Sequence, residues 1–494
     1  MRRVSSCDTA SSGGAFSQFA TRMIRFHGVL PGGSDMDRTQ LERAARLAGL
    51  ELAPATAVTV NGNDPVLPTP FHLGEGAATA LALVGQEADR IWQLRGGRPQ
   101  SLSIDVRHAA ASLHSFGHLE LVGGTTPTRE RPGLRVSAIW ECGDGRFIHL
   151  HSSFNDAPGI LAELGMAEDA SVDEIAEATR KRGAFELEDA LAAKGLCSAV
   201  CRTAEEWAAH PQGTLLATKP VVEVTRIGDA PPEPPGDGER PLSGVRVLDV
   251  TRVLAGPTCA RTLAEHGADV LHIASPSLPT SLLFEMDTGH GKRQAHVDLN
   301  DAAQTETLQD LVRGADVFSQ GFRLGALARR GFGPEQVAAL RPGIIYVSEN
   351  AFGHEGPWRL RPGWEQLAQA TTGVTVRQGG EGRPVLAPAA MNDYATGYFA
   401  ALGTMMALRR RATEGGSWMV TVSLAQTSMW YYRLGHELDP ARAKGIGDVA
   451  SFLEERDTPY GRMKHLRPAL GMSETPPRWD LPTAPLGSGS AAWL

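Results

Sequence analysis

The chain has 494 residues, 42% of them hydrophobic and 21% charged, enough apolar material at about 150 residues per domain for two or three packed domains. Lys and Arg number 48 against 56 Asp and Glu, a net charge of −8, which excludes nucleic-acid binding through a general basic field. Five cysteines, at 7, 142, 197, 201 and 259, are too few for a disulfide scaffold and fit a reducing compartment.

Residues 1–60 read as an extension, partly disordered. Its first stretch is Arg- and Ser-rich and acid-poor, with Asp8 interrupting it. A cytoplasmic location is expected, with a mitochondrial one as the alternative that this leader suggests. One helix is predicted here, Asp37–Ala48, stopped by Gly49. Residues 61–230 carry a long Ala-rich helix (GEGAATALALVGQEADRIWQL), a Gly96-Gly97 break and a strand (SLSIDV). A hairpin follows, RVSAIWE and RFIHLHS joined through Asp144-Gly145. Helices run through 157–194, and LCSAVCR reads as a strand. The Pro/Gly-rich stretch 231–240 is a linker that neither helix nor central strand can accommodate.

After the linker, 241–435 alternates strand and helix. VRVLDV, ADVLHIA, ADVFSQ and GIIYVSE are strands, with helices at GPTCARTLAEH and around 301–313. That alternation predicts an α/β fold, a parallel sheet covered by helices on both faces. The apolar run Tyr398–Leu408 is too short to span a bilayer, and no membrane association is expected. The Pro-rich tail 436–494 is expected to wrap the surface. Residues 73–112 and 392–428 echo one another: a long Ala-rich helix, Gly-Gly, then a strand of alternating apolar residues.

Common cofactor motifs fail. A Gly-x-Gly-x-x-Gly turn is absent after VRVLDV, where Thr251-Arg252-Val253-Leu254-Ala255-Gly256-Pro257 stands, and Ser275 occupies the place of a ribose-binding acid. No P-loop exists. Cys197 with Cys201, and His149 with His151, lack further ligands nearby, so no metal is expected.

Seven segments do point to a chemistry. PLSGVRVLDVTRVLAGP, GADVLHIASP, TGHGKRQAHVDLN, GADVFSQGFRLGALARRGFG, RPGIIYVSENAFGHEGPW, RPGWEQLAQATTG and NDYATGYFAALG occur in that order between Pro241 and Gly403. Together they resemble the class III CoA-transferase family, the carnitine and bile-acid CoA-transferase type. The resemblance implies a Rossmann-like large domain that binds coenzyme A without the dinucleotide fingerprint, plus a smaller α+β domain. The first half resembles the family's later segments, so small-domain-like sequence stands before the CoA-binding half, as a permutation or a trimmed fusion would leave it. Family members pair as interlocked rings; a chain in this order could make those contacts within itself, and a homodimer is a further expectation.

The resemblance implies that Asp393, opening a long helix, is the nucleophile. A carboxylate there also suits the helix dipole, although a plain helix cap is the alternative reading. It implies CoA contacts from Leu254 and Ala255, from Val297, Asp298, Leu299 and Asn300, and from Gly321, Phe322, Arg323 and Arg329. Trp364 and Glu365 fall in the substrate-side motif. Glu75 lies near the equivalent place of the first half, where the Asp pattern is not reproduced, so one active centre per chain is expected. Oxyanion-binding N–H groups are sought near Gly397 or at Gly123-Gly124.

The implied activity moves CoA from an acyl-CoA donor to a carboxylic acid acceptor through an aspartyl intermediate, with CoA as part of the substrate and no tightly bound cofactor. The alternatives are an α-methylacyl-CoA racemase-type isomerase, whose second base would stand where this chain has Trp364, and a non-catalytic CoA-binding partner.

Overall fold

The computed structural model describes residues 36–128 and 133–494; the Arg/Ser-rich leader and Cys7 lie outside them. Its centre is a seven-stranded sheet in the order Lys292–His296, Asp269–Ala274, Arg246–Asp249, Val317–Gln320, Ile345–Asn350, Ser417–Ser423, Glu223–Gly228. All neighbouring pairs are parallel except the last, which is antiparallel. The apolar runs read as strands are buried on both faces, as a parallel sheet between helices requires. The chain builds outward from Arg246–Asp249 to Lys292–His296, then crosses back to start Val317–Gln320 on the other side. That reversal opens a crevice beyond the carboxyl ends of these two central strands, the usual ligand position in such sheets.

The 292–296 strand was not anticipated, because its inward residues are polar. Each is satisfied by a neighbour: Lys292 Nζ lies 2.9 Å from Asp249 Oδ2, and Gln294 Oε1 2.7 Å from His272 Nδ1.

Helix Met391–Glu414 runs across the helix Ala255–Glu265 and against Leu73–Leu94. The two echoing segments share one element order, helix, strand, helix: Leu73–Leu94, Ser101–Asp105 and Val106–Ser112 in one, Met391–Glu414, Ser417–Ser423 and Leu424–Leu434 in the other. Their side chains join a single apolar core. Residues 36–60 belong to it. The helix Arg38–Leu47 is capped reciprocally by Asp37 and Gln40, buries Leu41, and accepts the Trp430 Nε1–H at Ala44 O, 2.9 Å.

A smaller α+β part has the antiparallel sheet Ala138–Glu141, Phe147–Leu150, Ser198–Val200 with its own core. The tail departs from expectation. Leu453–Thr458 and Gly461–Leu466 form a hairpin that pairs with Glu120–Leu121, and Leu470–Met472 adds to the Ala57–Asn61 and Ser101–Asp105 sheet. Its prolines all fall outside these three strands, four of the seven in the connection 476–485, which leaves the strands free to pair. Among the described residues no helix is long and apolar enough to cross a membrane.

Candidate active site

Asp393 is the third residue of its helix; the cap is Ala390, which offers no side-chain bond. The alternative reading of Asp393 as the cap is therefore set aside. Its neighbours Asn392 and Tyr394 are wholly buried, while Asp393 itself is partly exposed. Tyr394 Oη donates to Asp287 Oδ2 at 2.8 Å, which fixes the turn. Glu365, 3% exposed, begins the helix Glu365–Thr371. Its Oε1 accepts Gln369 Nε2–H at 2.6 Å and the Asn392 backbone N–H at 3.4 Å. The fold thus brings Glu365 behind Asp393, as a brace on the first turn of its helix.

The opposite wall is the start of helix Ala255–Glu265. A Cβ on Gly397, one turn after Asp393, would stand 2.6 Å from Ala255 O. Gly397 therefore exists for close helix approach. Its N–H lies inside the helix and bonds the preceding turn, so it does not serve an oxyanion. The Gly124 N–H is likewise taken by Leu121 O at 3.1 Å.

Between these walls stands a group the sequence reading missed. Glu349 is the next-to-last residue of the strand Ile345–Asn350, is 7% exposed, and accepts the Gly256 N–H. A Cβ on Gly256 would fall 2.0 Å from its Oε1, and one on Gly321 2.9 Å away. Burial first, then the carboxylates of Asp249 and Asp393, raises its pKa well above the usual range. The signal was present in GIIYVSE, an acid at the carboxyl end of a central parallel strand.

Beside this centre a cavity opens beyond the Arg246–Asp249 and Asp269–Ala274 strands, lined among others by Arg252, Val253, Ser275, Leu278, Phe284 and Phe322. Of the twelve expected contact residues only Phe322 lines it. Leu254 is buried just behind, at the cap of the 255–265 helix; Ala255 faces Gly397, and Gly321 flanks Glu349. Arg323 is exposed and donates to Gly195 O of the smaller part at 2.9 Å.

The 297–300 loop follows the edge strand Lys292–His296, beside Asp269–Ala274, and none of its residues lines the cavity. Arg330, rather than the exposed Arg329, reaches it, donating to Leu299 O at 2.6 Å and to Asn300 Oδ1 at 3.0 Å. Asp298 is partly exposed and Val297 buried. Trp364 is partly buried; its Nε1–H donates to Ser153 Oγ at 2.6 Å and its ring stacks on His151, 5.5 Å between centroids. It joins the smaller part to the large one, and its single donor is engaged.

Sequence reading also missed Arg252, whose guanidinium lies 5.3 Å from the Phe154 ring centre and donates to Pro279 O. Its Nε is buried without a hydrogen-bond partner. Val253 beside it has φ 71°, a conformation that costs a β-branched residue about 1–3 kcal/mol and persists only where surroundings impose it. Lys292, which lines the cavity, forms an ion pair with Asp249, both side chains being buried.

Metal-ligating groups lie elsewhere. Among the described residues one trio, Asp64, His72 and Glu75, brings ligand atoms within 4.8 Å of one another. They already serve each other: His72 Nδ1 lies 2.7 Å from Glu75 Oε2, and the Glu75 N–H donates to Asp64 Oδ2 at 2.9 Å. Burial pushes Asp64 up to about 6, His149 down to about 4, and the Cys197 and Cys201 thiols up to about 12.

The model of "CoA-transferase family III" matches residues 242–439. An acyl-CoA transferase of Gibberella moniliformis is 32% identical over 437 residues, spanning 78% of this chain and 76% of that protein. An acetyl-coenzyme A transferase of Hypoxylon pulicicidum is 29% identical over 428 residues, spanning 77% and 72%. A formyl-CoA:oxalate CoA-transferase of Rhodopseudomonas palustris is 36% identical over 197 residues, 37% of this chain and 46% of that one. Among solved structures, a CAIB/BAIF family protein from Brucella suis is 26% identical, with a TM-score of 0.38 over 46% of this chain and 65% of that one.

Proposed function

The chain belongs to CoA-transferase family III, and from that premise we propose that it moves CoA between an acyl-CoA thioester and a free carboxylic acid through a covalent intermediate on Asp393. The observation that carries this reading is the placing of Asp393. It stands in the first turn of a 24-residue helix, partly exposed, braced by Glu365 and opposite the start of a second helix that borders the cavity. Helix starts favour a carboxylate, and a partly exposed one remains able to attack.

The steps balance without any further reagent. The Asp393 carboxylate adds to the donor's thioester carbon; the C–S bond breaks, leaving an acyl-aspartyl anhydride and CoA thiolate. The thiolate attacks the Asp393 carbonyl, expelling the donor acid as carboxylate and leaving an aspartyl-CoA thioester. The acceptor carboxylate attacks that thioester to give a second anhydride and the thiolate again. Attack of the thiolate on the acceptor's carbonyl releases the new acyl-CoA and restores Asp393. Covalent capture turns one hard exchange into four near-balanced steps. In this reading Arg252 pairs with a CoA phosphate, Phe322 and Leu278 contact the carrier's apolar parts, and Leu254, Ala255 and Gly321–Arg323 border the path to Asp393. CoA enters and leaves as substrate.

The test is Asp393→Ala. Turnover in a screen of acyl-CoA donors against carboxylic acids, read by mass spectrometry, should fall by several orders of magnitude while CoA binding persists. Wild-type enzyme incubated with acyl-CoA should carry a hydroxylamine-sensitive adduct on the peptide holding Asp393. A variant that keeps more than about a tenth of wild-type turnover removes Asp393 from this role.

A further inference from the structure

Glu349 is placed where a structural acid has little reason to be. Its carboxyl lies at the meeting of the two loops that follow the central strands, with Gly256 on one side and Gly321 on the other. Both positions lack a side chain where a Cβ would collide with it. One oxygen, Oε1, is fixed by the Gly256 N–H, one of the free donors in the first turn of an 11-residue helix. The other, Oε2, is buried and has no hydrogen-bond partner among the described residues. A buried carboxyl oxygen left unpaired costs about 1–3 kcal/mol. An acid set between catalytic loops bears that cost where a ligand supplies the missing partner.

We propose that Glu349 stands in this site as an un-ionised carboxylic acid whose Oε2–H is the hydrogen-bond donor for the anion that forms beside Asp393 during transfer, the thiolate or the tetrahedral oxyanion. This rests on the reading of Asp393 as the nucleophile. No proton leaves Glu349; it donates a hydrogen bond and keeps its O–H bond throughout. The charged and titratable groups acting on it agree. Asp249 from the neighbouring strand and Asp393 from the long helix both oppose a second anion, Lys292 and the Gly256 N–H favour one, and Cys259 on the 255–265 helix is an un-ionised thiol. With burial added, the neutral acid prevails.

Glutamine and methionine separate this role from a packing role. In Glu349→Gln the amide oxygen can still accept the Gly256 N–H, and its NH₂ group can donate where Oε2–H did. In Glu349→Met the shape is kept and both polar functions are lost. Steady-state kinetics across the alkaline range should show kcat of Glu349→Met lowered about 100-fold or more, the size expected for one lost oxyanion donor, with KM for acyl-CoA moved less than about 3-fold. Glu349→Gln should recover at least about 10 of that 100-fold. It should also lack the alkaline decline in kcat that wild type shows as Glu349 ionises.

A Gln variant as impaired as the Met variant would overturn the inference, since the anion would then be what matters. So would a Met variant that turns over like wild type. The hydroxylamine-sensitive adduct in wild-type enzyme tells the two readings apart. Present, with either of those results, it leaves Asp393 in place and removes Glu349; absent, it removes both.

Discussion

Three acids in this protein show how position on a helix decides what a carboxyl can do. Asp393 lies in a first turn, where free N–H groups favour its charge. Glu349 meets another helix start but is buried beside two other carboxylates. Glu265 is the last residue of the helix Ala255–Glu265 and 5% exposed. There the dipole disfavours an anion, and burial pushes its pKa up to about 8, with Arg261 and Arg240 opposing. Between Glu's ordinary value near 4.5 and about 8, the folded chain holds a proton that the unfolded chain has released. Unfolding then loses protons, so stability falls as pH rises through that window. The shift corresponds to roughly 3–5 kcal/mol at its full extent. Glu265→Gln keeps the shape and removes the titration. Thermal unfolding from about pH 5 to about pH 8 should therefore show the variant gaining on wild type with each step upward; a difference that does not move with pH would show that Glu265 titrates normally.

Elements meet in this fold through glycines, and two of them differ in a way that magnitudes can decide. Gly397 faces backbone: its Cβ would stand 2.6 Å from Ala255 O and 2.6 Å from Thr258 Cβ. Alanine gains up to about 1 kcal/mol in helix propensity, but forcing two main chains apart costs about 1–3 kcal/mol, and the shift occurs one turn from Asp393. Gly85 in the helix Leu73–Leu94 faces only the ends of Leu102 and Leu470, at 3.0 and 3.1 Å, which can rotate aside. Gly397→Ala should lower the thermal midpoint and the turnover together, whereas Gly85→Ala should leave both near wild type. Equal effects would mean that the crossing at Gly397 has slack.

The same elements explain what the sequence disclosed. Strands such as Ile345–Asn350 were readable because both faces are buried and their residues run apolar. Lys292–His296 was hidden because it pairs its polar side chains inward, and Leu453–Thr458 because Glu454, Glu455, Arg456 and Asp457 read as a solvated loop. Asp393 and Glu365 entered as candidates through motif order. Glu349 left only the trace of an acid near a strand's carboxyl end and Arg252 none, since their meaning comes from Gly256, Gly321 and Phe154, which only the fold brings to them.

At the scale of the whole molecule, the half before the linker completes the half after it. Helix Leu73–Leu94 is buried from Leu73 through Asp89, and a helix buried on nearly every side is a core helix. It packs against Met391–Glu414, and against the helix Leu424–Leu434 so closely that a Cβ on Gly76 would meet Tyr431 Cε1 at 2.4 Å. Polar links cross the same boundary: Tyr398 Oη donates to Ser112 Oγ at 2.9 Å, and Trp430 Nε1–H to Ala44 O at 2.9 Å. The dependence is reciprocal in the sheets. Without residues before 241, Ser417–Ser423 loses its outer partner Glu223–Gly228, Gly461–Leu466 loses Glu120–Leu121, and Leu470–Met472 loses Ser101–Asp105. A fragment of residues 241–494 would thus carry an exposed apolar helix face and unpaired strand edges, both of which promote aggregation. Expressed alone it should be insoluble or unable to bind CoA, and co-expression with residues 1–240 should return it to the soluble fraction. A fragment that is soluble by itself and binds CoA would show that the shared core is dispensable, and that the CoA crevice is held by the seven-stranded sheet and its own helices alone.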